Sequence, residues 1–248
     1  MIPGAAYAYF LDIDGTLIDF ADAPSSVKLD PALPRLVDAL HRSSGGAVAL
    51  VTGRSIADVD RLFPARRLPA AGQHGLERRT ARGRIAVRPG SPGSLDGARR
   101  VLANVVARHP SLLLEDKGLS LALHYRASPS LAGLAHRVIR LLQQGLGARY
   151  CVHRGKRVVE LALAGKNKGA AIRAFMRETP FRGRTPAFIG DDVTDEYGFK
   201  VVNSLGGLSV KVGPGPTAAG WRLPNVRAVI KWLEHGKPEP RQVQARRR

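Results

Sequence analysis

A chain of 248 residues, 44% of them hydrophobic, can bury the core of one large domain or two small ones. It contains no apolar run of membrane-spanning length and no amino-terminal signal segment, so we expect a cytoplasmic protein with no membrane partner. The single cysteine, Cys151, excludes an internal disulfide and is expected to be a buried structural thiol.

The net charge of +19 favours an anionic partner, although charge alone reports steering and non-specific binding rather than chemistry. Lysine and arginine are scattered over the chain, aromatic residues make up only 6%, and no nucleic-acid-binding motif is present. We therefore expect no specific nucleic-acid partner. A basic nucleic-acid-binding protein whose acidic turns are only structural is the alternative from a different class. Residues 237–248 are predicted to form a basic, disordered tail.

The amino-terminal part of the chain alternates strands and helices. Asp30 is expected to cap a helix that begins at Pro31 and stops at Gly45-Gly46, and Ser55 is expected to cap a second helix. This alternation predicts a parallel sheet with right-handed crossovers. The predicted strands are YAYFLDI, AVALV and LPAAGQHG.

The pattern changes at TARGRIAVRPGSPGS, a stretch typical of a hairpin or linker. A helix, two strands, a second helix and two more strands follow, which indicates a small α+β layer. From NKGAAIRAFMRE onward helices and strands alternate as before. We therefore predict a catalytic core made of residues 1–83 and 165–236, with a second domain, residues 84–164, inserted into it.

Polar clusters follow the predicted core strands, at the edge where functional groups of a parallel sheet gather. They are DIDGT, VTGR and GDDVTDE, together with KNKG at the start of a helix. Each cluster alone can be explained as a turn, a strand end, a calcium-like loop or a helix cap. Together they point to one site, because Asp12, Asp191 and Asp192 offer the all-oxygen ligands that suit Mg²⁺.

The same clusters favour phosphoryl transfer. A carboxylate such as Asp12 can attack phosphorus to form an aspartyl-phosphate, and Asp14 can serve first as an acid and then as a base. Lys168 and the hydroxyl of Thr52 are expected to bind the phosphoryl oxygens, where positioning and charge stabilisation supply most of the rate.

This set of motifs resembles the haloacid dehalogenase superfamily of phosphotransferases. The resemblance implies an α/β fold: a Rossmann-like core with a parallel sheet and helices on both faces, plus an inserted α+β cap domain. It implies that Asp12 is the nucleophile and Asp14 the acid/base. It also implies that Mg²⁺ is held by Asp12, the backbone carbonyl of Asp14, and Asp191, with Asp192 and Asp195 as supporting acids.

Residues 7–233 also resemble the trehalose 6-phosphate phosphatases, through segments such as AGQHGLERR, LEDKGLSLALHYR and FIGDDVTDE. The resemblance implies a sugar-phosphate substrate, a cap that closes over the active site, and trehalose biosynthesis as the setting. It implies that Glu115 and Lys117 bind glucose hydroxyls. The further substrate-binding candidates are Gly15, Arg54, His74, Arg126 and Glu160.

Other sugar-phosphate substrates, and other roles for the candidate residues, are also compatible with the sequence. A related phosphatase acting on sucrose 6-phosphate or mannosyl-3-phosphoglycerate would use the same core with a different cap. Glu115 and Lys117 can also be an exposed cross-strand charge pair, Arg54 can cap its helix, and His124 is expected to be a structural hydrogen-bonder. No feature demands an oligomer, so we expect a monomer.

The lysine motif departs from the family pattern. Asn167 stands where many relatives have Ser or Thr, and Lys166 competes with Lys168 for the catalytic role. We assign that role to Lys168, because the following Gly169 opens the helix as it does in the family.

Overall fold

The computed structural model describes residues 6–19, 29–64, 67–87, 94–235 and 241–243. The chain divides into two compact units: the first combines Met1–Ala86 with Asn167–Arg248, and the second is Val87–Lys166. The inserted domain predicted from the sequence, residues 84–164, begins and ends a few residues earlier than this second unit. The second unit is thus a continuous segment between the two halves of the first.

Strands and helices alternate along the first unit, as the sequence predicts. Its strands are β1 (Tyr7–Leu11), β2 (Val48–Val51), β3 (Ala70–Gly72), β4 (Glu77–Arg79), β5 (Ile85–Val87), β10 (Thr185–Gly190), β11 (Leu208–Val212), β12 (Trp221–Leu223) and β13 (Arg241–Gln242). Its helices are α1 (Ala32–Ser43), α2 (Ile56–Leu62), α5 (Lys168–Phe175), α6 (Glu196–Ser204) and α7 (Val226–His235). The second unit contains α3 (Asp96–Arg108), α4 (Ala132–Leu146), β6 (Leu113–Asp116), β7 (Ser120–His124), β8 (Tyr150–Gly155) and β9 (Val158–Leu163).

The nine strands of the first unit form one sheet in the order β13-β12-β11-β10-β1-β2-β3-β4-β5. β1 lies near the centre and pairs in parallel with both β10 and β2. In this register Leu11 of β1 pairs with Ile189 of β10 and with Leu50 of β2. The carboxyl ends of the three strands therefore meet at one edge, and Asp12, Thr52 and Asp191 each follow directly.

Helices pack on both faces of this sheet. Alternate residues of β1 point to opposite faces, so Tyr9 and Leu11 belong to one core while Ala8 and Phe10 belong to the other. The first core includes Val37 of α1, Val59 of α2 and Trp232 of α7. The second includes Ile172 and Phe175 of α5 with Phe199 and Val202 of α6.

The second unit has its own antiparallel sheet, in the order β6-β7-β9-β8. Glu115 of β6 pairs with Ala122 of β7, which pairs in turn with Glu160 of β9. These three residues lie on one face of the sheet. Leu121, Leu123 and Leu161 lie on the other face and are fully buried.

Several local details differ from the sequence-based expectations. α1 begins at Ala32, one residue later than expected, although Asp30 still accepts a hydrogen bond from the Ala32 amide at 2.8 Å. The third predicted strand ends at Gly72, since Gln73 and His74 adopt left-handed backbone conformations.

Other differences lie at the edges of the sheet and near the carboxyl end. Strands β4, β12 and β13 were not expected, whereas β5 belongs to the stretch predicted to be a hairpin or linker. Arg241 and Gln242 of the predicted tail pair antiparallel with β12, whereas 236–240 and 244–248 lie outside the described residues. Cys151 is half-buried rather than buried, with its Sγ 3.5 Å from Nε2 of His153. Among the described residues, no helix is long and apolar enough to cross a membrane.

Candidate active site

Asp12 occupies the first position after β1 and is 4% exposed. Its amide donates to the carbonyl of Ile189 at 3.0 Å, which continues the pairing of β1 with β10 by one residue. The chain then turns at Gly15, whose φ of 76° favours glycine. The Gly15 amide donates to the Ile18 carbonyl at 2.7 Å, and the Thr16 hydroxyl donates to Asp12 Oδ2 at 3.4 Å. The turn thus fixes the Asp12 carboxylate beyond the strand end.

Lys168 opens helix α5 and is 2% exposed. Asn167 caps the helix, because its side chain accepts the Ala170 amide at 2.9 Å. The Lys168 ammonium donates to Asp12 Oδ1 and to Asp195 Oδ1, both at 2.7 Å. Lys166 is exposed, so the structure brings the lysine preferred from the sequence to the nucleophile candidate.

Asp195 lies at the end of a short 3-10 helix, Val193–Asp195, and is fully buried. Its Oδ2 accepts hydrogen bonds from the amides of Asp191 at 2.9 Å and Asp192 at 2.8 Å. Gly190 permits this approach, since a Cβ there would lie 2.4 Å from Asp195 Cγ. Asp195, expected from the sequence to be a supporting acid, therefore organises the acidic loop and contacts Lys168.

The carboxylates of Asp12, Asp191 and Asp195 form a group that can hold a metal ion. One oxygen from each lies within 4.8 Å of the others, and all three residues are buried. Buried carboxylate oxygens suit a hard cation such as Mg²⁺ or Ca²⁺. The side chains of Asp14 and Asp192 are not members of this group.

The electrostatics of the group favour a cation. Burial and the neighbouring charge of Asp195 raise the pKa of Asp12 well above its usual value, although Lys168 opposes the shift. Burial would lower the pKa of Lys168, but the charges of Asp12 and Asp195 outweigh it and raise that pKa. The three buried carboxylates outnumber the two buried ammonium groups nearby, those of Lys168 and Lys211, and a divalent cation would neutralise the excess negative charge.

Lys211 is a buried cation that the sequence analysis missed. It lies near the end of β11, is 5% exposed, and donates from Nζ to the backbone carbonyl of Asp191 at 2.5 Å. The available signal was a lysine within the otherwise apolar strand SVKV. Its position supports the loop that carries Asp191.

Thr52 follows β2 and is fully buried. Its amide donates to Ala71 O at 2.9 Å, and its hydroxyl oxygen accepts the Arg54 amide at 3.1 Å. The hydroxyl hydrogen can therefore be donated to an anionic oxygen. The His74 amide donates to Thr52 O at 3.0 Å, which brings the His74 loop beside Thr52.

The Arg54 side chain contacts Asp14. Arg54 Nε donates to Asp14 Oδ2 at 2.7 Å, and Nη2 donates to Oδ1 at 2.6 Å. The Arg54 side chain is 9% exposed and the Asp14 side chain 30%. Arg54, which was expected from the sequence to bind substrate, is thus hydrogen-bonded to Asp14, the predicted acid/base.

The second unit places Glu115, Lys117 and Glu160 together on one face of its sheet. Lys117 Nζ lies 3.1 Å from Glu160 Oε2 and 3.9 Å from Glu115 Oε2. His124 Nε2 lies 2.8 Å from Glu115 Oε2. Arg126 is half-buried just beyond β7. Because the side chains of Lys117 and Glu115 are only 9% and 22% exposed, these two residues are not an exposed charge pair.

The sequence is similar to known trehalose-phosphatases. The family model for trehalose-phosphatase matches residues 10–226. The trehalose-6-phosphate phosphatase of Escherichia coli K12 is 43% identical over 234 residues, which cover 93% of this chain and 86% of that protein.

Two solved structures share the fold. The C-terminal domain of Candida albicans trehalose-6-phosphate phosphatase superposes with a TM-score of 0.81 at 21% identity, covering 92% of this chain and 91% of that one. A haloacid dehalogenase-like hydrolase from Bacteroides thetaiotaomicron gives a TM-score of 0.64 at 16% identity, covering 91% and 97%. These likenesses confirm the predicted fold class. Because the family model spans most of the chain and the identity to the bacterial relative is high, this protein belongs to the trehalose-phosphatase family.

Proposed function

We propose that this protein hydrolyses trehalose 6-phosphate to trehalose and phosphate through an aspartyl-phosphate on Asp12. One observation carries the proposal. Asp12 is buried at the end of β1 and bonded to Lys168 at 2.7 Å, in a chain 43% identical to a trehalose-6-phosphate phosphatase. This arrangement suits a carboxylate nucleophile that attacks phosphorus.

The residues present fit Mg²⁺. Asp12, Asp191 and Asp195 supply buried carboxylate oxygens within 4.8 Å of one another, and the backbone carbonyl of Asp14 is a further ligand expected from the family. When bound, Mg²⁺ neutralises the surplus negative charge and stabilises charge on the transferring phosphoryl group.

In the first step, an oxygen of Asp12 attacks phosphorus and the bond from phosphorus to the sugar oxygen breaks. Asp14 donates a proton to the leaving alkoxide, which departs as trehalose. Lys168 and the Thr52 hydroxyl bind the phosphoryl oxygens, and both are already fixed by hydrogen bonds to their neighbours. The phosphoryl group is then an acyl phosphate on Asp12.

In the second step, water attacks the same phosphorus while Asp14 accepts a proton from it. The bond from phosphorus to the Asp12 oxygen breaks, and phosphate leaves with Asp12 restored as a carboxylate. Asp14 must therefore carry a proton when the ester reacts; this proton replaces one of the two hydrogen bonds from Arg54, and the other keeps the side chain in place. Asp14 regains the proton in the second step.

Sugar recognition is assigned to the polar face of the second unit. Glu115 and Glu160 supply acceptors and Lys117 a donor, with the Lys117 ammonium within 3.9 Å of both carboxylates, which suits vicinal hydroxyls. Arg126 and His74 stay predicted substrate ligands. The Gly15 amide already donates within its own turn, so we assign Gly15 to shaping that turn.

The test is phosphate release from trehalose 6-phosphate, sucrose 6-phosphate, glucose 6-phosphate and an aryl phosphate, each with and without Mg²⁺. We expect Mg²⁺-dependent release with a strong preference for the trehalose ester, and none from the Asp12→Asn variant. Release without that preference would favour another sugar phosphatase. No release from any ester would refute the proposal.

A cytoplasmic location, a monomeric state and the absence of a specific nucleic-acid partner stay predictions. Size-exclusion chromatography with light scattering tests the monomeric state. Binding of duplex DNA at two salt concentrations tests for a nucleic-acid partner, because non-specific electrostatic binding weakens steeply with salt.

A further inference from the structure

The second unit contains a polar cluster formed by Glu115, Lys117, His124 and Glu160. Glu115 and Glu160 share a row of the sheet with Ala122 between them. His124 lies on the same face, two residues along β7 from Ala122. The proposed function uses the two glutamates and the lysine, but gives His124 no role.

Within this cluster, His124 makes the closest contact to Glu115. Its Nε2 lies 2.8 Å from Glu115 Oε2, whereas Lys117 Nζ lies 3.9 Å from the same oxygen. Lys117 is closer to Glu160, at 3.1 Å. Glu115 is thus held by the histidine while the lysine is held by the other glutamate.

The ionisation of Glu115 settles which atom donates. Burial raises the pKa of Glu115, but the hydrogen bond from His124 and the charge of Lys117 outweigh burial, so the pKa lies below its usual value. An ionised carboxylate only accepts hydrogen bonds. The proton in this contact is therefore on His124 Nε2.

Both contacts engage Oε2 of Glu115. Among the described residues, Oε1 of Glu115 accepts no hydrogen bond, and the side chain is 22% exposed. Oε1 can therefore accept a hydrogen bond from a sugar hydroxyl. Without His124, attraction to Lys117 would draw the carboxylate into a tight ion pair and occupy both groups.

We propose that His124 is a positioning residue that keeps Glu115 apart from Lys117, so that both can bind sugar hydroxyls. This inference rests on the proposed function, because it assigns sugar binding to Glu115 and Lys117. It makes His124 a determinant of sugar specificity without direct contact with the sugar. A glutamine amide can reproduce the Nε2–H donor, whereas leucine cannot.

The experiment compares His124→Leu and His124→Gln in the full chain, with trehalose 6-phosphate and an aryl phosphate as substrates. For His124→Leu we expect KM for the trehalose ester to rise about tenfold or more, the size expected for a lost hydrogen bond to a charged group. We expect kcat on that ester and kcat/KM on the aryl phosphate to change less than about twofold, because only uniform sugar binding is lost. His124→Gln should restore most of the affinity.

His136→Leu is the matched control. His136 lies on α4 of the same unit and contacts the Tyr125 hydroxyl at 3.2 Å, so its loss removes a histidine hydrogen bond outside the cluster. We expect its KM for the trehalose ester to match the wild type.

Three results would overturn the inference: an unchanged KM in His124→Leu, equal losses on both substrates, or a glutamine variant as impaired as leucine. A wild-type protein that releases phosphate from the aryl ester but not from trehalose 6-phosphate would refute the proposed function, and the inference with it.

Discussion

Arg54 and Asp14 form a bidentate ion pair, in which Nε and Nη2 of the arginine donate to the two oxygens of the carboxylate at 2.7 and 2.6 Å. The Arg54 backbone is itself fixed, because its amide donates to Thr52 Oγ1 and its carbonyl accepts the Gln73 amide. The pair thus links the turn after β1 with the turn after β2. It holds the proposed acid/base in one rotamer.

The first prediction concerns this pair. Arg54→Lys keeps the charge but loses the planar fork, so Asp14 should lose its fixed orientation. We expect turnover of trehalose 6-phosphate to fall about ten- to a hundredfold, because its leaving alkoxide needs a proton. An aryl phosphate, with a better leaving group, should be affected much less. Arg42→Lys, at an exposed ion pair with Asp38, is the control. Equal losses on the two substrates would contradict this role of Arg54.

The second prediction concerns the nucleophile. Asp12→Asn should reduce turnover by about a thousandfold or more, since an amide cannot form the phosphoenzyme. The variant should be as stable as the wild type without metal, because it removes one carboxylate from a group with surplus negative charge. Phosphate release and thermal unfolding in a chelator check both parts. Substantial remaining activity would remove Asp12 from the nucleophile role.

The third prediction separates two lysines. Lys168→Met leaves Asp12 and Asp195 buried without their cation, which should cost about 3–5 kcal/mol in the metal-free protein. Mg²⁺ should restore part of that stability, and activity should be lost. Lys166→Met, at an exposed site, should change neither property. Denaturant unfolding with and without Mg²⁺ measures the effect, and equal behaviour of the two variants would refute it.

The fourth prediction ranks the acids of the loop after β10. Asp191→Asn and Asp195→Asn should each weaken Mg²⁺ binding at least about tenfold, because both carboxylates belong to the buried group. Asp192→Asn should weaken it much less, since its side chain lies outside that group. Titration calorimetry with Mg²⁺ provides the affinities. A larger loss of Mg²⁺ affinity in the Asp192 variant than in the other two would contradict the assignment of Asp191 and Asp195 as metal ligands.

The fifth prediction is a pH dependence of stability that comes from Glu115. The pKa of Glu115 in the folded protein lies below its usual value of 4.5, so the ionised form stabilises the fold. That contribution is complete above pH 4.5 and is lost as the pH falls through the folded pKa. The stability difference between the wild type and Glu115→Gln should therefore shrink as the pH falls below about 5. Thermal unfolding across that range tests it. A difference that grows on acidification would show the opposite shift.

The sequence predicted the core of the site because its residues follow strands that are easy to recognise. Apolar runs identified β1, β2 and β10, and the parallel arrangement brought Asp12, Thr52 and Asp191 to one edge. Gly169 favoured Lys168 over Lys166, and the structure places the Lys168 ammonium 2.7 Å from Asp12 Oδ1. These inferences needed only the order of elements and the direction of the strands.

Side-chain partners were harder to predict. The contact of Arg54 with Asp14 depends on two rotamers and on a turn 40 residues away, and neither leaves a pattern in the sequence. Lys211 was not among the predicted site residues, because a lysine in SVKV does not reveal which carbonyl it approaches. The edge strands β12 and β13 are short and contain polar residues, so they lack the apolar run that identifies central strands.

The central place of β1 has a consequence for synthesis on the ribosome. β2 follows β1 closely, but the partner on the other side, β10, begins only at Thr185, after the whole second unit. At translation speeds of about 5–20 residues per second, one edge of β1 stays unpaired for roughly ten seconds or more. An open apolar edge of this kind promotes aggregation. Protection of β1 during elongation therefore favours its native pairing, and the second unit can complete its own fold before the catalytic residues first meet.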